Sequence, residues 1–186
     1  MGSEMCIRDR YKDMASKTQL AFARQVYAAA VEAKTEIDPA FVTAQAMLET
    51  GWGARVIGKA NLFGITKGSQ WDGDIVMVKT HEYFKTPKQK FKEPDRIVSV
   101  CKVAGKNLWY YTVMRAFKDF DSIGDCLKEH ERLFQKPGYK DAWPCRKDPF
   151  KFAQKICDGV GCKYATDPTY LTTITSIIKT IRRKCV

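Results

Sequence analysis

What this chain has little of narrows its chemistry. It holds two histidines, His81 and His130, far apart in sequence, and seven cysteines with no CxxC pair among them. A tetrahedral zinc site needs paired or clustered Cys and His ligands, so no metal and no cofactor is expected. Cys157 and Cys162, with Cys145 upstream, leave open a disulfide or a fragment of a metal site. An odd, scattered set of cysteines otherwise suits a reducing compartment, where cysteine serves as a small hydrophobe. No apolar run approaches the roughly 20 residues that span a bilayer. A phosphate-cradling glycine loop, an HExxH pair and a GxSxG elbow are all missing. Acidic residues are outnumbered, 21 against 32 Lys and Arg, for a net charge of +11. That balance points to polyanionic surroundings, whether nucleic acid, anionic lipid or an acidic wall polymer. Lysines interleave with aromatics over residues 85–92, but without a recognition helix or zinc framework nucleic acid is not the expected partner.

What is present suits one soluble monomeric domain: 186 residues, 45% hydrophobic and 28% charged. Residues 1–14, MGSEMCIRDRYKDM, have no apolar signal core or cleavage site and read as a non-native or disordered leader, leaving 15–186 as the domain. From 16 to 34, Leu20, Ala23, Val26, Tyr27, Ala30 and Val31 recur at helical spacing. A second, short helix starts on the N-cap Asp38 and Pro39, turns Phe41, Ala44 and Leu48 inward, and stops at Thr50-Gly51-Trp52-Gly53. Three strand-like runs follow at 74–84, 96–104 and 108–116, predicting a small antiparallel sheet within about 66–116. Helical spacing returns after Asp121-Ser122, after Asp148-Pro149, and in a last helix with Ile174, Ile177, Ile178 and Ile181 inward. Helices, a small sheet and more helices make the fold class α+β, mainly α.

Two carboxyl groups stand out. Glu49 closes the second helix at the rim of its apolar face. The negative end of the helix dipole and partial desolvation there both favour the protonated form, as a proton donor requires. It also reads as an exposed glutamate at a fraying helix end. Glu82 falls on the strand face of Val76, Val78, Thr80 and Phe84, among apolar or small neighbours; it equally reads as an edge-strand glutamate in water. Phe63, beside Gly64, serves either as a core plug or as a wall for a sugar ring. Two carboxyl groups flanking a polymer are what glycoside hydrolysis uses.

The segments AQAMLETGWG, NLFGI, THEYF, RAFKDFDS and YATDPTY, in that order, resemble the glucosaminidase family of peptidoglycan hydrolases, glycoside hydrolase family 73. The likeness covers roughly Ser16 to Ile181. It implies a lysozyme-like fold, with a helical lobe, a small β-lobe and a groove between them. It also implies an endo-β-N-acetylglucosaminidase cleaving the β-1,4 bond between N-acetylglucosamine and N-acetylmuramic acid. By motif position Glu49 matches the general acid, Glu82 the second carboxylate and Tyr164 a tyrosine near the reaction centre. Trp52, Phe63, Trp71 and Tyr83 are implied as substrate-binding aromatics; Asn61 and Asp167, placed with them, more naturally hold loops. The chain departs from the family pattern at Lys163, where glycine is usual, in the cysteine-bearing CDGVGC before it, and in the basic loop over 85–95.

A compact catalytic domain with no signal segment, anchor or wall-binding repeat suggests a phage endolysin. Such an enzyme waits in the host cytoplasm and then reaches the periplasm and cell wall. Its partners would be peptidoglycan glycan strands and, through Lys179, Arg182, Arg183 and Lys184 of the last helix, anionic envelope polymers. The alternatives are a muramidase or lytic transglycosylase of the same superfamily, or a non-catalytic basic wall-binding module.

Overall fold

The computed structural model describes residues 16–158, 164 and 167–186. Cys6, Cys162 and Lys163, and with them the Cys157–Cys162 question, lie outside the described residues. The first helix, α1 (Lys17–Glu32), is started by a capping box: Ser16 Oγ accepts the Gln19 N–H at 3.2 Å, and Gln19 Oε1 accepts the Ser16 N–H at 2.7 Å. It buries only Ala23, Val26 and Ala30. Val31, expected inward, is 53% exposed. One residue turns the helix by about 100°, which carries Val31 off so narrow a stripe.

Helix α2 (Pro39–Thr50) begins where the sequence places it, with the Asp38 carboxylate accepting the N–H of Ala40 at 2.8 Å and of Phe41 at 3.3 Å. Its packing differs from the expectation of a single inward face. Every residue from Ala40 to Met47 is buried, and so is Thr50, whereas Leu48 keeps part of its surface open. Small side chains at Ala40, Ala44 and Ala46 let neighbours approach on several sides, so α2 is a central helix rather than an amphipathic one. It packs against α1, α4 (Pro149–Asp158) and α5 (Tyr170–Lys184). Asp148 caps α4 by accepting the N–H groups of Phe150 and Lys151. In α5, Ile174, Ile177, Ile178 and Ile181 are buried, as their spacing indicates.

Between these helices in sequence lie β1 (Ile75–Phe84), β2 (Arg96–Lys102), β3 (Trp109–Lys118) and α3 (Ile123–Phe134), the last capped by Ser122. The chain forms two compact units, one of residues up to Arg55 and from Leu127 onward, the other Val56–Cys126. The second extends beyond the 66–116 segment suggested by the sheet alone.

In the first unit Phe41, Phe134 and Phe152 meet edge to face at 4.8–6.2 Å between ring centres. His130 is buried against Phe134, and desolvation pushes its pKa down to about 3, so it stays neutral. In the second unit the antiparallel sheet runs β1-β3-β2. Tyr111 and Val113 of central β3 are buried, while the edge strand β2 is exposed along its length. On β1, Val76, Val78, Thr80, Glu82 and Phe84 form the covered face, and Lys79, His81 and Tyr83 are exposed. Strand β3 runs two residues past its expected end because Lys118 N–H bonds Ile65 O and Lys67 N–H bonds Ala116 O. The basic loop after β1 folds back over the covered face, setting Phe91 against Phe84 and Tyr111.

The turn that ends α2 depends on Gly53, whose φ is +85° and whose missing Cβ would lie 2.6 Å from the Phe22 ring. Gly53→Ala should destabilise the protein by about 1–3 kcal/mol through backbone strain and overpacking. Urea unfolding measures this, and Phe22→Leu should recover only the steric share. A neutral Gly53→Ala would contradict the turn described.

Candidate active site

The end of α2 is built by local rules. Gly51 is left-handed, with φ 58° and ψ 51°. Its N–H bonds Leu48 O, and the next N–H, of Trp52, bonds Met47 O at 2.7 Å, the paired closure of a Schellman motif. Buried Thr50 donates to Ala46 O at 2.6 Å and accepts the Gly53 N–H at 2.9 Å. Trp52 itself has φ +59°, a conformation that strains a residue with a Cβ. This closure fixes Glu49 in the last helical turn.

The Glu49 side chain reaches solvent, as a group that must touch a substrate does, yet the protein around it removes enough water to raise its pKa above 4.5. Desolvation is the larger influence. Opposing it is Tyr164, whose hydroxyl donates to Glu49 Oε1 at 3.4 Å. Burial drives the Tyr164 pKa far upward, so the phenol remains a donor. Tyr164 stacks on Phe134 at 5.5 Å and lies 5.5 Å from the ring of Tyr170. An elevated carboxyl with a neutral donor beside it can release a proton and then receive a hydrogen bond as the anion.

The second carboxyl belongs to the other unit. Glu82 Oε1 pairs with Arg115 Nη1 at 2.5 Å, and Arg115 Nε pairs with Asp95 Oδ2 at 2.7 Å. Asp95 Oδ1 also accepts the Ala116 N–H at 2.7 Å, and Phe91 lies 5.5 Å beneath the guanidinium. The sequence suggested apolar or small neighbours for Glu82; its close contact is this cation, which strand pairing sets opposite Val78 on the same face. Beside the cluster opens a cavity of about 510 Å³ lined by Thr66, Lys67, Ser69, Lys92, Asp95 and Arg115, with no aromatic wall.

The remaining sequence-named residues divide by environment. Trp52 is half-buried in the turn after Glu49. Tyr83 is 61% exposed and adjoins Tyr110, on which His81 stacks, forming a solvent-facing aromatic row on the sheet. Trp71 donates to Asp74 O at 2.8 Å, packs on Phe120 and lies under Lys118 Nζ at 4.5 Å. Phe63 is half-buried in its loop. Asn61 is buried, with its amide spent on Ile65 and on Lys118 O. Asp167 accepts both the N–H and the hydroxyl of Thr169 at 2.8 Å, fastening the entry to α5 and lowering its own pKa. Arg115, Asp95, Tyr110, Gln45 and Tyr170 went unsuspected from sequence. Gln45, Arg115 and Tyr170 lie within the family-like segments, Asp95 and Tyr110 outside them, and in every case only β-register or long-range packing reveals the partner.

Comparison with known proteins adds a family context. The glucosaminidase family model, described as mannosyl-glycoprotein endo-beta-N-acetylglucosaminidase, matches residues 25–183. The peptidoglycan hydrolase FlgJ of Vibrio parahaemolyticus is 30% identical over 141 residues, 72% of this chain and 37% of that protein. A probable N-acetylmuramidase of Lactococcus lactis subsp. cremoris is 28% identical over 169 residues, 88% of this chain and 34% of that protein. The chain thus spans well under half the length of these curated relatives. Among solved structures, the catalytic domain of the autolysin Auto from Listeria monocytogenes superposes with a TM-score of 0.64 at 25% identity, covering 98% of this chain and 96% of that one. A peptidoglycan hydrolase from Sphingomonas sp. A1 gives 0.58 at 26% identity, covering 89% and 92%. The architecture is the α+β, mainly helical, lysozyme-like fold of these structures.

The raised Glu49 pKa has a consequence for stability. A carboxyl that binds its proton more tightly folded than unfolded loses stability as pH rises through its folded pKa, and the loss is absent below the unfolded value. Glu49→Gln should therefore be more stable than the wild type at about pH 8, with that advantage gone at about pH 3.5. Urea unfolding at both pH values measures it; a difference independent of pH would refute the assignment.

Proposed function

Because the chain belongs to the glucosaminidase family of glycoside hydrolases, we propose that it cleaves the β-1,4 bond between N-acetylglucosamine and N-acetylmuramic acid in bacterial peptidoglycan. The observation that carries this reading is Glu49, an accessible carboxyl with a raised pKa, hydrogen-bonded by Tyr164. Protonated Glu49 gives its proton to the glycosidic oxygen as the bond to the anomeric carbon breaks and its electron pair leaves with that oxygen. The Tyr164 hydroxyl bonds the carboxylate that forms. Water then adds hydroxide to the anomeric carbon and surrenders its second proton to a carboxylate. Glu82, oriented by Arg115, is the proposed second carboxylate, stabilising the cationic sugar or guiding the water. Trp52, Phe63, Trp71 and Tyr83 are the proposed sugar-binding aromatics. Support for the substrate comes from relatives named as peptidoglycan hydrolases. The relative named as a probable N-acetylmuramidase favours a second reading, cleavage on the other side of muramic acid.

Mass spectrometry of digested wall separates the two: reducing-end N-acetylglucosamine is expected, and reducing-end muramic acid would establish the second. Glu49→Gln should lower kcat/KM on the wall by about 10²–10⁴-fold, the usual worth of a general acid; near-wild-type turnover would remove Glu49 from the role.

We propose further that the chain is a phage lysis enzyme released from the host cytoplasm to the wall, with α5 engaging anionic envelope polymers. Support comes from the basic last turn of α5, Arg182, Arg183 and Lys184, next to Lys179. Replacing those four by Gln should reduce lysis of whole cells while sparing activity on purified wall; equal activity on both would end the polymer role. Host cells expressing the chain should grow until their membrane is permeabilised, and lysis before that step would count against a waiting endolysin.

A further inference from the structure

One polar side chain in the acid-bearing helix is left without a task by the chemistry above. Gln45 is fully buried and sits one helical turn before Glu49 on α2, and residues four apart share a helix face. Its Nε2 donates to Tyr170 Oη at 2.9 Å, while its Oε1 has no partner among the described residues. A buried amide with one end unsatisfied costs stability, and leucine would occupy similar space without that cost. The glutamine therefore does something that apolar packing would not.

Its one bond leads toward the acid. Tyr170, the first residue of α5, is buried, and its ring flanks that of Tyr164, which also stacks on Phe134. The Tyr164 hydroxyl reaches Glu49 Oε1 at 3.4 Å, long against the usual O–H···O distance of about 2.7–2.8 Å. A bond so stretched is lost or tightened by a ring movement of a few tenths of an ångström. We propose that Gln45 and Tyr170 are positioning residues for the proton donor: their hydrogen bond fixes the Tyr170 ring, which holds Tyr164 within reach of Glu49 and so sets how readily Glu49 gives up its proton. The proposal rests on Glu49 as the acid and assigns the setting of that acid to two residues that touch no substrate.

Among the described residues, other titratable groups around Glu49 do not supply an alternative control. Tyr139, from the turn after α3, and Cys157, from α4, act on the tyrosine pair, and burial raises the Tyr164, Tyr170 and Cys157 pKa values, which keeps them neutral. At the helix end the Arg55 guanidinium lies against Gly51. Loss of the Tyr164 bond, which lowers the Glu49 pKa, must therefore move the Glu49 titration upward.

The test compares Tyr170→Phe and Gln45→Leu, each alone and in a Tyr164→Phe background. The Glu49 side-chain carboxyl is titrated by 13C NMR, a readout that needs no turnover, alongside the basic limb of kcat/KM on purified wall. Each single variant should shift the Glu49 midpoint upward, in the direction of Tyr164→Phe and by less. Neither should add a shift once Tyr164 is already Phe, because groups acting through one hydroxyl are not additive. If a single variant folds poorly, Gln45→Leu with Tyr170→Phe removes both polar ends together and should show the same shift. A lowered unfolding midpoint with an unmoved Glu49 titration would overturn the proposal and leave the pair a purely structural role. Shifts that add in full to that of Tyr164→Phe would overturn it too. Activity of Glu49→Gln decides the acid assignment separately, so the two failures are distinguishable.

Discussion

Burial of α2 on every side is the constraint from which the rest of the first unit follows. A helix with Ala40 through Met47 enclosed cannot slide or rotate without opening its core. Its last turn is therefore held in place before any substrate arrives. The Schellman closure at Gly51 and the Thr50 hydroxyl then stop the chain at one point, and the first residues with open surface are Leu48 and Glu49. Glu49 is held on a rigid element by alanines and glycines more than by its own contacts, the pre-organisation that its proposed role requires. The same placement disfavours the carboxylate, which sits in the negative field of the helix end and is partly desolvated. The placement that suits Glu49 to the proposed role of acid makes its ionised form a burden on the fold.

Signals that are local in sequence were legible. Asp38-Pro39 and Gly51-Trp52-Gly53 marked both ends of α2, because caps and left-handed turns need particular residue types. Alternation along 75–84 gave the covered face of β1, and the isoleucine spacing gave that of α5. What escaped was decided by partners far away in the chain. Burial of α2 on several sides depends on α1, α4 and α5 converging on it, so its apolar residues resemble a single face that includes Leu48. Val31 continued a periodic run whose end is left half open. Tyr164 meets Glu49 across 115 positions and Gln45 meets Tyr170 across 125; no spacing within a helix encodes such pairs.

The two carboxyls are provisioned in opposite ways. Glu49 has a neutral phenol beside it and has lost part of its water, which suits a group that holds a proton and lets it go. Glu82 has a guanidinium against it, which fixes where its side chain points. The distinction follows from partner chemistry inside each unit. Sequence placed Glu82 on the right strand face but could not supply Arg115, because joining 82 to 115 requires the register of β1 on β3.

Arg115 is not free to serve Glu82 alone. Asp95 takes a second side of the guanidinium, anchors itself on the Ala116 N–H, and stands at the end of the basic loop that Phe91 pins to the sheet. The direction in which Arg115 presents its Nη1 is thus set by the loop that covers it. A planar guanidinium gripped from one side by a fixed carboxylate has few ways left to meet another. That loop departs from the family pattern in its charge, but its role in the fold lies in Phe91 and Asp95. Its lysines can vary in number without disturbing the hold on Glu82, whereas changing either of those two residues would alter how the second carboxyl is aimed.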